Sequence, residues 1–239
     1  MTTKRILDFT TSLLGLLFLL PVLLVIALLT KLSMPGPVLF RQYRVGQHGK
    51  LFKIVKFRSM KLHHHGSTVS IKGESRITPW GSVMRKYKLD ELPELWNVII
   101  GDMSLVGPRP HVPGYTDKLT GKDRIILTLR PGITGLASLK YSKEEELLAL
   151  QKDPITYHKK IIFPDKVRIN IHYIQNWSLG LDFKIIIFTI LGQSIHEHTH
   201  VRVKKQMESV MGKIIKNRIF IPRSIVTSER LTVNSRSGS

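Results

Sequence analysis

From residue 12 to residue 30 the chain carries no charged side chain, and nearly every position is Leu, Val, Ile or Phe. Lys4 and Arg5 precede this run and Lys31 follows it. A membrane-spanning helix needs roughly 20 apolar residues, so the run is long enough to be one. A secretory signal fits less well. Its apolar core is about 7–15 residues and ends at a small-residue cleavage site, whereas Leu32-Ser33-Met34-Pro35-Gly36-Pro37 follows here. Pro21 sits mid-run. It lacks a backbone N–H and its ring crowds the preceding turn, which predicts a kink. Basic residues at both ends are a second clue, because a spanning helix usually leaves one end poorer in Lys and Arg. Two readings stay open at this point: a kinked span, since membrane helices tolerate proline, and a re-entrant hairpin that enters and leaves by one face.

Beyond the turn-rich residues 34–37 the period shortens. Residues 38–40 and 50–57 alternate like short strands around a Gly46–Gly49 turn. Residues 63–72 read as a polar loop. Helical patterning returns at 80–87, 93–100, 143–152 and 164–177, while 107–113 and 131–135, rich in Gly and Pro, read as rigid loops. A last apolar stretch, 181–191, predicts a helix packed on the core or lying in the bilayer interface. From residue 196 the pattern gives way to a polar, basic tail. Three parts are therefore expected: a membrane segment over 1–33, a soluble α/β domain over 34–195 and the tail over 196–239.

The chain has 37 Lys and Arg against 17 Asp and Glu, a formal charge of +20. That balance suits nucleic acid, anionic lipid or phosphorylated substrates. Residues 31–61 contribute Lys31, Arg41, Arg44, Lys50, Lys53, Lys56, Arg58 and Lys61 with no acidic residue. Neither aromatic interleaving nor a binding motif points to nucleic acid, and anionic lipid is the simpler partner. Cysteine is absent, so there is no disulfide framework.

One acidic pair stands out. Asp90 and Glu91 precede Pro93 and the apolar positions Leu92, Leu95, Trp96 and Ile99, which predicts a helix starting near Asp90. There a carboxylate accepts backbone N–H bonds and feels the positive end of the helix dipole, both of which favour ionisation. An ionised Asp is a competent nucleophile towards phosphorus. A diphosphate would repel it without a cation, and Mg²⁺ held by one or two carboxylates plus substrate phosphates is the usual solution. Arg85 precedes the pair, Arg109 is clamped between Pro108 and Pro110, and Lys56 and Arg58 end a strand-like segment. Arginine forks and lysine point charges both grip phosphate. Simple helix capping by Asp90 is the alternative, as is a membrane-anchored basic scaffold or lipid-binding protein without catalysis.

Ordered motifs carry the reading further. They are Pro21 in its apolar segment, Pro35-Gly36-Pro37-Val38-Leu39-Phe40-Arg41-Gln42, Arg44-Val45-Gly46 and Phe52-Lys53-Ile54-Val55-Lys56-Phe57-Arg58-Ser59-Met60. Then come Leu89-Asp90-Glu91-Leu92-Pro93-Glu94-Leu95-Trp96-Asn97-Val98, Gly101-Asp102-Met103-Ser104-Leu105-Val106-Gly107-Pro108-Arg109-Pro110, Arg130-Pro131-Gly132-Ile133-Thr134-Gly135 and Asn176-Trp177-Ser178-Leu179-Gly180-Leu181-Asp182-Phe183-Lys184. With them, residues 1–193 resemble the bacterial sugar transferases, the small monotopic polyprenyl-phosphate phosphoglycosyl transferases.

The resemblance implies an α-rich α/β fold. A re-entrant membrane helix hairpin, broken at Pro21, joins a small cytoplasmic catalytic domain with short strands and interfacial amphipathic helices. It implies transfer of a phosphosugar from a nucleoside diphosphate sugar, usually a UDP-sugar, to undecaprenyl phosphate with release of UMP. Asp90 would be the covalent nucleophile and Mg²⁺ ligand, and Glu91 would support metal placement or proton handling. Lys56, Arg58, Arg85 and Arg109 would bind phosphates. The place would be the cytoplasmic face of a bacterial inner membrane, at the first membrane step of exopolysaccharide, capsule, O-antigen or glycoprotein glycan assembly. Two departures stand out. Leu20 precedes the breaking proline where many members have Ser, and Leu136-Ala137-Ser138-Leu139-Lys140-Tyr141 replaces the usual Trp-Ala-Gln continuation.

Other signals carry less. His196, Glu197 and His200 have a zinc-protease spacing but open a polar tail without the helix, third ligand and cleft such a site needs. His63-His64-His65 reads as a solvated loop. Asn176-Trp177-Ser178 matches a glycosylation acceptor, which a cytoplasmic enzyme would not use.

Overall fold

The structure, a computed structural model, describes residues 2–61 and 77–194, with side chains as far as Leu191. The polar loop expected over 63–72, the histidines at 63–65 and 196–200, and the tail lie outside the described residues. What is described is a helix-rich α/β chain with one long apolar N-terminal helix and two small sheets.

Helix α1 (Thr2–Ser33) runs through Pro21 without interruption. The break expected there is not an end to the helix. Proline deletes one backbone donor, and the apolar turns on either side retain their own hydrogen bonds. Asp8, Ser12, Ile26 and Thr30 are buried, with Leu19 and Leu23 half-buried between them. That spacing is one stripe of a 3.6-residue helix, so α1 lies on the rest of the molecule along its length. The opposite face is apolar and bare: Phe18 is 83% exposed and Leu32 74%.

Polar contacts pin both ends of this greasy helix. Near its start Lys4 Nζ meets Asp182 Oδ2 at 2.5 Å, and Arg5 donates to the carbonyls of Val98 and Ile99 at 2.5 and 2.8 Å. Asp8 accepts from Ser104 Oγ at 2.7 Å. Near its end Trp80 Nε1 donates to Thr30 Oγ1 at 3.1 Å.

Strands β1 (Leu39–Val45) and β2 (Leu51–Phe57) form the expected antiparallel hairpin, with Leu39 opposite Phe57 and the first strand longer than its pattern implied. Phe52 and Ile54 of β2 point inward onto Val98 and Met103. Helix α2 (Pro79–Lys86) starts at Thr78, whose side chain accepts from Gly81 N at 3.0 Å, with Pro79 in the first turn. A 3₁₀ turn, Leu89–Glu91, leads into α3 (Glu94–Ile100). Leu89 and Leu92 pack with Ile26 of α1, Phe57 and Met84, so the long apolar helix forms the floor beneath the acidic pair.

The segments expected as loops near 107–113 and 131–135 are joined by a second sheet. β3 (Ser104–Val106) and β4 (Gly132–Thr134) pair in parallel. Three residues flanked by Gly and Pro show no usable alternation, so this sheet is invisible in the pattern. It depends on glycine: a Cβ on Gly132 would lie 2.1 Å from Gly107 N.

The remaining helices are α4 (Leu136–Lys140), α5 (Glu144–Ala149), α6 (Pro154–Tyr157), α7 (Phe163–Gln175) and α8 (Leu179–Ser194), with a π-helical turn at His158–Ile162. In α8 Ile185 is buried while Phe183 and Ile190 are more than half exposed, so apolar residues face both ways. The Asn176-Trp177-Ser178 triplet is helix punctuation. Asn176 donates to His172 O at 2.9 Å, and Ser178 Oγ accepts from Leu181 N at 3.1 Å.

Gly132→Ala should lower stability by about 1–3 kcal/mol through overpacking. Gly180→Ala, where no atom lies within 4 Å of the new Cβ, should leave stability unchanged or higher. Thermal denaturation in detergent compares the two.

Candidate active site

Asn97 sets the scaffold. Its buried carboxamide donates to Lys53 O at 2.8 Å and accepts from Val55 N at 3.0 Å, filling the free edge of β2 as a neighbouring strand would. Its own carbonyl accepts from Asp102 N and Met103 N. Strand β2 is thereby held against α3, which brings Lys56 to the carboxylates at the start of that helix.

Glu91 is at the centre. Lys56 Nζ donates to its Oε1 at 3.0 Å, and Arg109 grips both oxygens, with Nη2 on Oε1 and Nη1 at 3.3 Å from Oε2. Burial alone would raise the Glu91 pKa, but Arg109 and Lys56 outweigh it and hold the carboxyl well below its ordinary range. Glu91 in turn holds Arg109 protonated more firmly than usual. A carboxylate clamped in this way is a poor proton carrier, so of the two roles expected for Glu91 proton handling does not suit its surroundings.

Asp90 differs. It is buried, and among the described residues it forms no hydrogen bond or ion pair. The cap expected of it is absent because Asp90 lies inside the 3₁₀ turn, while Pro93 occupies the N-cap position of α3. Its pKa is raised, by burial first and the Glu91 charge second, with Lys56, Arg85 and Arg109 opposing. This reverses the expectation of a cap-stabilised anion: desolvation acts where helix N–H bonds were anticipated.

Among the described residues no three ligand-type side chains gather as a metal cage. Mg²⁺ commonly takes one or two carboxylates and completes its shell with water and substrate phosphate. Asp90, whose carboxylate is unengaged among the described residues, fits as a single protein ligand. Glu91, with both oxygens on cations, does not.

Arg85 belongs to the same neighbourhood and is ion-paired to Glu145 of α5. Arg58 does not belong. It is 3% exposed, and its Nη2 donates to the carbonyls of Met34 and Pro35 at 2.9 and 2.7 Å. Its guanidinium holds the hinge after α1 and, among the described residues, makes no hydrogen bond or ion pair with the Asp90–Glu91 cluster.

Three charged residues here escaped notice in the sequence. Glu94 is fully buried, with its Oε1 2.8 Å from Lys56 Nζ. Lys88 adopts a left-handed backbone, φ 52°, without being glycine, and burial lowers its pKa while Glu91 opposes that shift. Such strain gathers at functional sites. Arg44 donates to Pro110 O at 3.4 Å, and its pKa falls to about 10 through burial and the nearby Arg109. Arg44 appeared in the sequence only within a basic run and the Arg44-Val45-Gly46 motif, and Glu94 only within the motif around the acidic pair, neither with a role of its own. The Arg109 loop is itself seated by aromatic packing, with His111 5.2 Å and Tyr115 5.3 Å from the Phe163 ring.

A family model described as bacterial sugar transferase matches residues 1–194. The chain is 39% identical over 201 residues to a UDP-glucose:undecaprenyl-phosphate glucose-1-phosphate transferase of Xanthomonas campestris pv. campestris, covering 80% of this chain and 39% of that protein. It is 38% identical over 193 residues to a protein of the same description from Caulobacter vibrioides, covering 78% and 68%. It is 37% identical over 199 residues to exopolysaccharide production protein PSS of Rhizobium leguminosarum bv. phaseoli, covering 80% and 94%. The chain thus spans about two fifths of the length of several curated relatives it matches.

The raised Asp90 pKa has a consequence for stability. An Asp ionises near pH 3.9 in an unfolded chain and higher in this fold, so stability falls as pH rises between those values, and the penalty persists above. Asp90→Asn should therefore raise the melting temperature of the metal-free protein more at about pH 7 than at about pH 4, near the ordinary Asp pKa.

Proposed function

The chain belongs to the bacterial sugar transferase family, and from that premise we propose that it transfers a phosphosugar from a nucleoside diphosphate sugar to undecaprenyl phosphate. The donor is read as a UDP-sugar and the released product as UMP. The observation that carries this reading is the placement of Asp90 without a partner of its own among the described residues, beside Lys56, Arg85 and Arg109 and above the apolar helix α1.

In the first half-reaction an Asp90 carboxylate oxygen attacks the phosphorus that bears the sugar. A P–O bond forms to Asp90, and the anhydride P–O bond breaks, its electrons leaving with UMP. In the second, a phosphate oxygen of undecaprenyl phosphate attacks the same phosphorus and the bond to Asp90 breaks, restoring the carboxylate. A phosphate leaving group has a second pKa of about 6, so it departs at neutral pH without a proton donor. That accords with a Glu91 kept ionised. Lys56, Arg85 and Arg109 bind the equatorial phosphate oxygens, where charge accumulates. Glu91 orients Lys56 and Arg109. Asp90 would hold Mg²⁺ together with substrate phosphate, and the ion would neutralise the diphosphate charge.

The acceptor is a lipid, and α1 supports its delivery. Both ends of α1 are held to the catalytic part by charged or polar contacts while its outer face is bare and apolar. A helix fixed in this way dips into one leaflet and keeps both ends, and the site, on the cytoplasmic side.

Asp90→Asn should abolish UMP release while the protein stays folded and membrane-bound. Turnover like that of the unaltered protein would sink the covalent route. The chain has no cysteine, so Thr3→Cys and Lys31→Cys can each be probed with an impermeant thiol reagent. Both should label from the cytoplasmic face alone, and labelling from opposite faces would rule out the dip.

A further inference from the structure

Lys56 touches two carboxylates at once. Its Nζ is 3.0 Å from Glu91 Oε1 and 2.8 Å from Glu94 Oε1. The two partners are not equivalent. Glu91 is partly exposed and keeps Arg109 if Lys56 leaves. Glu94 is fully buried, and Lys56 is its single ion-pair partner among the described residues. Its contact with Lys56 is ionic rather than an aligned hydrogen bond, and both its oxygens otherwise lack a hydrogen-bond donor. With Lys56 in place the Glu94 carboxylate has no exposed surface, so an incoming phosphate meets Lys56 from the Glu91 side. Burial raises the Glu94 pKa and Lys56 is foremost in opposing that rise, so a charge on Glu94 depends on Lys56. Since a buried charge left alone is strongly unfavourable, the Glu94–Lys56 contact is the fixed one and the Glu91–Lys56 contact the exchangeable one.

We propose that Glu94 is a positioning residue: it tethers the Lys56 ammonium from below, so that Lys56 passes from Glu91 to an incoming phosphate oxygen without leaving the site. A lysine stem is long and rotamer-rich, and a second carboxylate beneath it keeps the charge aimed. The phosphate in this scheme rests on the transferase reading above, whereas the tether itself does not.

Glu94→Gln keeps the shape and removes the charge. It should lower kcat/KM for the nucleotide sugar by at least about tenfold without lowering the melting temperature. In a Lys56→Met background the same exchange should change kcat/KM by less than about twofold, because partners in one network are non-additive. Equal losses in both backgrounds, or a loss that tracks a fall in melting temperature, would mean that Glu94 only supports the fold and would overturn the tether. A second readout needs no turnover. Acylation of the Lys56 amine by a water-soluble active ester, read by mass spectrometry, should quicken several-fold in Glu94→Gln, and an unchanged rate overturns the proposal. A chain that releases no UMP from any nucleotide sugar would defeat the transferase reading and leave the acylation result to judge Glu94.

Discussion

A carboxylate withdrawn from water keeps its charge only beside cations, and Glu91 meets that demand with Lys56 and Arg109. The two cations come from distant places, one from the end of β2 and one from the loop after β3. Bringing them to one residue obliges the elements between to meet. Asn97 docks β2 against α3 through its side chain. The close approach of Gly107 and Gly132 pairs β3 with β4 and so aims the loop that carries Arg109. Both devices make backbone contacts that a larger or less polar side chain would prevent.

The same cluster separates two adjacent carboxylates. Glu91 is driven towards the anion and Asp90 away from it, although they neighbour each other in one 3₁₀ turn. The difference is one of contact: among the described residues Lys56 and Arg109 bond to Glu91 directly, whereas on Asp90 they and Arg85 act only from a distance and do not outweigh burial and the Glu91 charge. In the proposed reaction Asp90, without a hydrogen-bonded partner of its own among the described residues, is the carboxylate that would meet cation and phosphorus. Glu91, engaged by Lys56 and Arg109, would act on the arrangement rather than on the atoms transferred.

Helix α1 ties the apolar face of the molecule to the acidic pair. Ile26 packs with Leu89 and Leu92, the residues on either side of the acidic pair. Arg5 caps the last carbonyls of α3, whose first turn carries Glu94. A shift of α1 would therefore be felt at both ends of α3, by packing at one and by hydrogen bonds at the other. The apolar helix is thus part of the site's support.

Period and composition alone located the apolar helix, the β1–β2 hairpin and the helices around 80–100 and 164–191, because each expresses a local rule: a long apolar run, alternation, or 3.6-residue spacing. The pairing of Asp90 with Glu91, and the basic residues near it, could also be read from linear order. The sequence could not say which cation serves which carboxylate. Arg58 and Lys56 lie two residues apart and look alike, yet one closes the hinge on Met34 and Pro35 while the other reaches Glu91 and Glu94. Glu94 and Lys88 looked like ordinary polar positions until burial changed their meaning, and the β3–β4 sheet was too short to pattern. Charge state, partner choice and close backbone approach depend on what lies across space in a medium without water, and that is decided only when the chain has folded.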